Sequence, residues 1–411
     1  MENIYEKAEY CLNCKLRPCS IKGCPLNNNI PEFINEIKKQ NYKKAYEIIL
    51  ETTVFPSICG RICPHYKQCM GSCVRGIKGT PVQIGNLEAF IGDTALENNY
   101  KITRVNNHRK KIAIIGGGPA GLTAAAFLAK DGNLVTIYEK YNYLGGLLVH
   151  GIPDFRLPRD IIKKSIQKIL ELGIEVKYNM ELGKNLSIDS LEKKYDNIIL
   201  AFGANVSSKM GIEGEDLQGV YGGNELLEYK IHPSYVGKTV IVNGGGNVAM
   251  DTARTIKKLG AKRVIVVYRR AREQMPAEQK EIEDAINEGV EFLFQHNIVK
   301  IIGNKNVEEI ELVKTKLVQK EGETRLSPVN IENSNYQILA DYVVMAIGSK
   351  PQEIVKNLKL DTDKYGYIKV DETGKTSNPI IYAVGDLARN VSTVAWACKS
   401  GREVAKKINL T

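Results

Sequence analysis

Eight of the nine cysteines fall in two short runs, CLNCKLRPCSIKGC from Cys11 and CGRICPHYKQCMGSC from Cys59. Thiols crowded in this way are metal ligands or redox groups when the chain needs no disulfide staples. The first run spaces as Cys11-x2-Cys14-x4-Cys19-x4-Cys24-Pro25, the second as Cys59-x3-Cys63-x5-Cys69-x3-Cys73. Structural zinc takes C-x2-C knuckles in pairs, and only one tight pair is present. The wider steps and the Cys-Pro fit instead the pattern in which closely spaced cysteines and a remote one share a cubane, while the residue before proline ligates the other cluster. The expectation is two interleaved [4Fe–4S] clusters. Cys11, Cys14, Cys19 and Cys73 hold one; Cys24, Cys63 and Cys69 hold the other. Its fourth position stays open between Cys59 and Glu88, the latter in PVQIGNLEAF.

Two glycine-rich turns follow. KKIAIIGGGPAGLTAAAFLAKDGNLVTIYEK runs an apolar strand, 112–115, into Gly116-x-Gly118-x-x-Gly121, then a helix and a strand ending at Glu139. In such a turn the first glycine permits the bend, the second admits a pyrophosphate to the backbone, and the third lets helix pack on strand. The helix start at Pro119 and Ala120 offers N–H groups and positive dipole to a phosphate. Glu139 stands about twenty residues on, where an acid bonds ribose hydroxyls. The pattern recurs in GKTVIVNGGGNVAMDTARTIKKLGAKRVIVVYRRAREQMP, with Gly244-x-Gly246-x-x-Ala249, the turn residues Gly245, Asn247 and Val248, and a strand ending at Tyr268. No acid follows that strand. Arg269 and Arg270 stand there, and guanidinium groups pair with a 2′-phosphate that a carboxylate would repel. NADPH is therefore the expected second nucleotide; the plainer alternative is a basic strand end.

These residues need a frame. Each nucleotide segment closes with a similar strand, YDNIILAFGAN (195–205) and ADYVVMAIGSK (340–350), an apolar run leading to Gly203 or Gly348. The final segment, PIIYAVGDLARNVSTVAWACKSGREVAKKI, has a strand ending at Gly385-Asp386, then a helix, and no glycine turn of its own. It is expected to return to the first fold. Between the cysteine runs, Ile34, Ile37, Ala45, Ile48 and Ile49 recur at helical spacing and predict two helices around Asn41. The fold class is α/β, with two nested Rossmann-like domains behind a small α-helical iron–sulfur domain. The expected boundaries are 1–105 for the cluster domain, 106–234 with 345–411 for FAD, and 235–344 for NADPH. A chain of 411 residues, 43% apolar, buries a core without disulfides. Its net charge of +10 reads as a solubilising surface, and the dispersed basic residues, with only the short run HRKK, speak against nucleic acid. The start, MENIYEKAEY, has no apolar signal core, and the longest apolar stretch is broken by Gly-Gly-Gly-Pro. A cytoplasmic chain with reduced thiols and no membrane contact is expected.

Together these features resemble the glutamate synthase small-subunit family of two-dinucleotide-binding-domain flavoproteins. That family includes the N-terminal half of dihydropyrimidine dehydrogenase and the NADPH-side subunit of transhydrogenases that reduce ferredoxin. The resemblance spans essentially the whole chain. It rests on the two cysteine runs, GTPVQIGNLE, GGGPAGL, YEKYNYLGGLLVHGIPDFRLP, GGGNVAMD, YRRAREQMPA and AVGD. It implies FAD on the first fold, NADPH on the second, and two clusters with Glu88 rather than Cys59 as the last ligand. It places Glu139, Leu147, Arg156 and Asp386 against FAD; Gly146, Gly203, Gly348, Gly385 and Thr393 complete the cofactor-binding set. The implied activity takes hydride from NADPH to FAD and passes electrons through the clusters to a partner carrying the terminal active site. A glutamate synthase large chain is the first choice, a pyrimidine dehydrogenase-like chain the second, and ferredoxin in a transhydrogenase the third. The segment NVSTVAWACKSGREVA is similar to the dihydropyrimidine dehydrogenase input subunit, YRRAREQMPAEQKE to glutamate synthase. A redox-sensing scaffold is the non-enzymatic alternative.

No acid–base or nucleophile constellation calls for a role. The histidines, His65, His108, His150, His232 and His296, are scattered and read as surface or packing residues, His150 beside GIPDF being the one to watch. Cys398 lacks the Cys-x2-Cys partner that disulfide reduction needs, so it reads as an inert helix thiol.

Overall fold

The computed structural model describes residues 3–105, 110–319, 325–388 and 391–410, so His108 lies outside the described residues. The N-terminal region is helical: α1 (Ile4–Glu9), α2 (Ile30–Lys38), α3 (Tyr42–Leu50), α4 (Pro56–Ile62) and α5 (Ile84–Glu97). The helix pair meets at Asn41 as its periodicity requires, and Ile34, Ile37, Ala45, Ile48 and Ile49 are all buried. The first α/β segment follows as β1 (Lys111–Ile115), α6 (Pro119–Lys130), β2 (Leu134–Tyr138), α7 (Leu147–His150), α8 (Arg159–Leu170), β3 (Glu175–Lys177), α9 (Ile188–Glu192) and β4 (Asn197–Leu200). The second contains β5 (Val206–Ser207), β6 (Val220–Gly222), α10 (Gly223–Tyr229), β7 (Thr239–Asn243), α11 (Asn247–Lys258), β8 (Arg263–Tyr268), α12 (Gln279–Asn287) and β9 (Glu291–Phe294). It continues through β10 (His296–Ile302), β11 (Glu309–Val318), β12 (Ser327–Asn330), β13 (Tyr336–Leu339), β14 (Tyr342–Met345) and β15 (Ser349–Lys350). The chain closes with β16 (Ile381–Ala383) and α13 (Val394–Leu410).

The chain forms two compact units. One contains Met1–Val149, Asp154–Ala204 and Pro351–Thr411; the other contains His150–Pro153 and Asn205–Lys350. In the first unit a parallel sheet has the order β16-β4-β1-β2-β3, and in the second a parallel sheet has the order β6-β14-β7-β8-β9. The repetition extends to position: β4 lies beside β1 as β14 lies beside β7. Strands covered on both faces read as continuous apolar runs, which is why both were legible. The returning segment does complete the first sheet, β16 pairing with β4.

Two features differ from expectation. Residues 205–234 and 345–350, assigned by sequence to the first nucleotide fold, sit in the second unit, where β6 pairs with β14 and β5 with β15. The second unit also carries an antiparallel meander, in which β11 pairs with β10, β12 and β13. Its strands are uneven, β11 alternating buried and partly or fully exposed positions over most of its length while β12 and β13 are four residues each with no buried position. No helix among the described residues is long and apolar enough to cross a membrane.

Within the first unit, α13 holds the helical region to the sheet domain. A Cβ at Gly401 would come within 2.2 Å of the Ala120 carbonyl oxygen, so α13 crosses α6 at backbone contact. One residue on, the buried Arg402 donates from Nη1 to the carbonyls of Leu26 (2.7 Å) and Thr52 (2.9 Å), both in the helical region. Its Nη2 pairs with Glu403 at 2.7 Å. A buried carbonyl left without its donor costs about 1–3 kcal/mol. Arg402→Met is therefore expected to destabilise the protein by about 3 kcal/mol, read as a lower urea midpoint, while Glu403→Gln at the half-exposed partner changes it by less than about 1 kcal/mol.

Candidate functional site

Cys11, Cys14, Cys19 and Cys73 line one cavity, closed at the back by Ile30, Ile34, Val82 and Ile84. The loop between Cys14 and Cys19 is shaped by Arg17 in a left-handed conformation, φ 42°, and a π-helical turn over Cys19–Gly23 carries the chain on to Cys24. Burial pushes the Cys19 thiol up to about 11 and raises Cys11 as well. A desolvated thiol holds its proton unless a cation takes its place.

Cys24, Cys59, Cys63, Cys69 and Glu88 lie close enough to perturb one another's ionisation. Burial, then the neighbouring Glu88 carboxylate, lifts Cys24 to about 12; Cys69 is raised by burial, then by Cys24 and Glu88. Glu88, on α5, is itself pushed well above the carboxylate range by burial and then by Cys59. Among the described residues no ion pair or hydrogen bond reaches its carboxyl. Several would-be anions in a dry site without a counter-charge form the donor set expected for iron. Among the described residues no three His, Cys, Asp or Glu side chains are arranged to hold a single metal ion; the first four thiols surround a common space instead.

Cys59, on α4, has Thr53 Oγ1 3.9 Å from its sulfur, and its thiol lies near those of Cys398 on α13 and of Cys63, whose proximity holds it well below the usual thiol range. Cys398 therefore does have a cysteine neighbour, which the sequence placed some three hundred positions away. His65 is a second residue that sequence reading passed over. Its Nε2 lies 3.1 Å from the Gly60 carbonyl, which can only accept, and its Nδ1 lies 3.4 Å from Cys69 Sγ. Its neighbourhood is tight, since a Cβ at Gly85 would meet its ring at 2.4 Å.

In the first unit the glycine turn leaves β1 with Gly116 at φ 105°, where a Cβ would sit 2.7 Å from the Ala201 carbonyl oxygen. Gly118 has nothing within 4 Å, and a Cβ at Gly121 would strike the Gly116 carbonyl at 2.1 Å. The turn is thus closed on its inner side and open at Gly118. Pro119 and Ala120 begin α6, and Gly146 folds back so that its Cβ would be 2.9 Å from Gly118 Cα. Glu139 accepts the Gly117 N–H at 2.7 Å and the Tyr141 N–H at 3.0 Å, so this acid also fastens the turn. Burial raises it, and those two donors pull it back. Gly385 reaches the same edge, its N–H donating to Ser400 of α13 at 2.8 Å and its Cα facing Ala120. Asp386 beside it is pushed up to about 6 by burial, against a hydrogen bond with Ser392. Thr393 accepts at Oγ1 from the Trp396 N–H, 3.4 Å, at the start of α13. Leu147 is exposed at the start of α7, Arg156 is half-buried in the loop before α8, and Gly203 lies open at φ 71° beyond β4.

The second unit repeats the construction. At Gly244, φ 146°, a Cβ would meet the Ala346 carbonyl at 2.2 Å; Gly245 rests on the Tyr268 ring, and Gly246 is open apart from Pro276 at 4.0 Å. Asn247 Oδ1 accepts the Glu278 N–H at 3.0 Å, Val248 is half-buried and Ala249 fully buried. Arg269 and Arg270 follow β8, and Gly348, φ 135°, ends the strand beside the turn.

The family description pyridine nucleotide-disulphide oxidoreductase matches residues 110–401, and dihydropyrimidine dehydrogenase domain II, 4Fe-4S cluster, matches residues 1–100. The glutamate synthase [NADPH] small chain of Escherichia coli is 35% identical over 98% of this chain and 90% of its own length. The NADP(+)-dependent formate dehydrogenase subunit beta of Moorella thermoacetica is also 35% identical, over 95% of this chain and 59% of its own. Among solved structures, Mycobacterium tuberculosis FprA in complex with NADPH superposes with a TM-score of 0.65 over 73% of this chain and 84% of that one, at 22% identity. That likeness concerns the fold. The chain belongs to the pyridine nucleotide-disulphide oxidoreductase family and, within it, to the glutamate synthase small-chain group of NAD(P)H-dependent oxidoreductases.

Proposed function

We propose that this chain is an electron-input subunit: NADPH binds at the Gly244–Val248 turn, FAD at the Gly116–Gly121 turn, and two [4Fe–4S] clusters in the helical region. The observation that carries the reading is the convergence of Cys11, Cys14, Cys19 and Cys73 on one cavity in the unit that also holds the first glycine turn. When bound, FAD accepts a hydride and releases single electrons that iron–sulfur clusters conduct. The chain's own contribution is placement. Gly118 and Gly246 leave the backbone open to a pyrophosphate, and the α6 and α11 N-termini aim their N–H groups there. Glu139 holds the first turn's shape, with a ribose hydroxyl as its further partner. Leu147, Arg156, Gly385, Asp386 and Thr393 line the rest of the FAD site, and a carboxyl raised like Asp386 suits a hydroxyl donor. Arg269 and Arg270 take the 2′-phosphate. Glu88 rather than Cys59 completes the second cluster set, as the family resemblance implies; Glu88 is buried without a counter-charge.

The partner is a glutamate synthase large chain in this reading. A pyrimidine dehydrogenase-like chain is the second reading, favoured by the family match of residues 1–100. The exit surface is marked by its side chains. Leu12, Leu16, Ile21, Val74 and Ile77 are exposed on the cysteine loops. Lys15, Arg17, Lys22, Arg75 and Lys78 accompany them, and no acid occurs from Tyr10 to Pro31 or from Thr52 to Leu87. An acceptor with an apolar face and an acidic rim fits this surface.

Anaerobically purified protein is expected to hold about eight iron and eight sulfide per chain and to oxidise NADPH with glutamine and 2-oxoglutarate once a glutamate synthase large chain is added. Oxidation supported only by a pyrimidine dehydrogenase-like chain with its substrate selects the second reading. Glu88→Ala is expected to lose about half the iron, with one cubane signal gone from the EPR spectrum, while Cys59→Ser keeps both. Lys15→Glu with Lys78→Glu should raise the KM for the partner chain about tenfold and leave NADPH-dependent dye reduction unchanged.

A further inference from the structure

The meander contributes a residue to the end of β8 that lies far away in the sequence. Thr315 of β11 donates its hydroxyl to the Arg269 carbonyl at 2.9 Å, and the Gln295 N–H donates to the Arg270 carbonyl at 3.0 Å. Arg270 Nε donates in turn to the carbonyl of Leu326, just before β12, at 3.1 Å. These bonds set the neighbouring residue, Arg325, beside the turn. Its Nη2 donates to Tyr268 Oη at 3.1 Å and to the Gln274 carbonyl at 2.8 Å. Tyr268 is the ring on which Gly245 rests.

Arg325, Arg269 and Arg270 thus gather at one strand end. Among the described residues none of the three is in an ion pair, and Nε and Nη1 of Arg325 make no bond. Like charges at this range repel. The effect is felt within the group: burial, then Arg325 and Arg269, pull Arg270 below the ordinary guanidinium range. A fold keeps such a cluster without a carboxylate where a dianion completes it, and planar guanidinium forks match phosphate oxygens.

We propose that Arg325 is a specificity-determining residue for the dinucleotide, delivered by the meander to bind the 2′-phosphate of NADPH together with Arg269 and Arg270. The inference rests on the reading of the second glycine turn as the NADPH site. It gives the meander a role in the domain: the residue before β12 supplies a third guanidinium at the β8 strand end, bonded to Tyr268, on whose ring Gly245 rests.

The test uses the full-length holoprotein, with 2′,5′-ADP and 5′-AMP as probes in calorimetry and NADPH and NADH in dye reduction. Arg325→Gln is expected to weaken 2′,5′-ADP about tenfold, with 5′-AMP unchanged. It should raise the KM for NADPH by a similar factor while kcat and the KM for NADH stay as they were. Arg325→Lys should recover part of the loss. Unchanged 5′-AMP binding shows that the variant has kept its fold. If Arg325→Gln leaves 2′,5′-ADP binding unaltered while Arg269→Gln or Arg270→Gln weakens it, Arg325 has no part in recognition and the NADPH reading survives. If the unaltered protein binds 2′,5′-ADP no more tightly than 5′-AMP, that reading falls and the role of Arg325 with it.

Discussion

The crossing of α13 over α6 and α4 is the constraint on which the first unit depends. Gly401 brings α13 against the Ala120 carbonyl at the start of α6, where a side chain would collide. That approach carries Arg402 inward until its guanidinium bonds the Leu26 and Thr52 carbonyls. Leu26 follows Cys24 by two residues, so one buried cation on the last helix fixes the loop that presents a thiol to the second site. Cys398, one turn earlier, touches Cys59 on α4. The glycine turn and the thiol sites are thereby held to a common element, and their spacing cannot drift without breaking buried hydrogen bonds.

Burial is the force that shapes the thiol sites. Removing a thiolate or carboxylate from water disfavours its charge by an amount that nearby protein groups here do not offset. Cys19, Cys24, Cys69 and Glu88 are all raised by this means, and Cys63 by its neighbour Cys59 and then by burial. A fold that concentrates such groups is arranged for a cationic centre rather than for its own stability, and Ile30, Ile34 and Val82 give the first cavity an apolar lining.

The two sheets show how one backbone solution supports two chemistries. In each, the first glycine of the turn lies against the carbonyl of the residue after the neighbouring strand, Ala201 in one and Ala346 in the other. The steric demand is the same, and so is the order of four of the five strands, while the edge strand beside β4 or β14 comes last in the first sheet and first in the second. What differs is the end of the next strand. Glu139 accepts N–H groups of its own turn, whereas Arg269 and Arg270 point a positive field outward. The difference between the two turns is thus one of side chains added to a common frame.

The residues alone determined the glycine turns, their strands and helices, the helix pair about Asn41 and the two runs of thiols, because each is a local pattern whose spacing reflects a backbone period or a ligand geometry. The returning strand was legible for the same reason: a continuous apolar run must be covered on both faces. The sequence did not fix which unit residues 205–234 join, since that follows from β6 pairing with β14, a choice between sheets made by long-range hydrogen bonds. The meander escaped because two of its strands, β12 and β13, are only four residues long and its pairings are set by long-range hydrogen bonds. Only the tertiary structure brought Cys398 to Cys59, Arg402 to Leu26, and Arg325 to Tyr268. These are contacts between chain segments tens to hundreds of residues apart, and single side chains leave no periodic trace by which such partners could be found before the chain is folded.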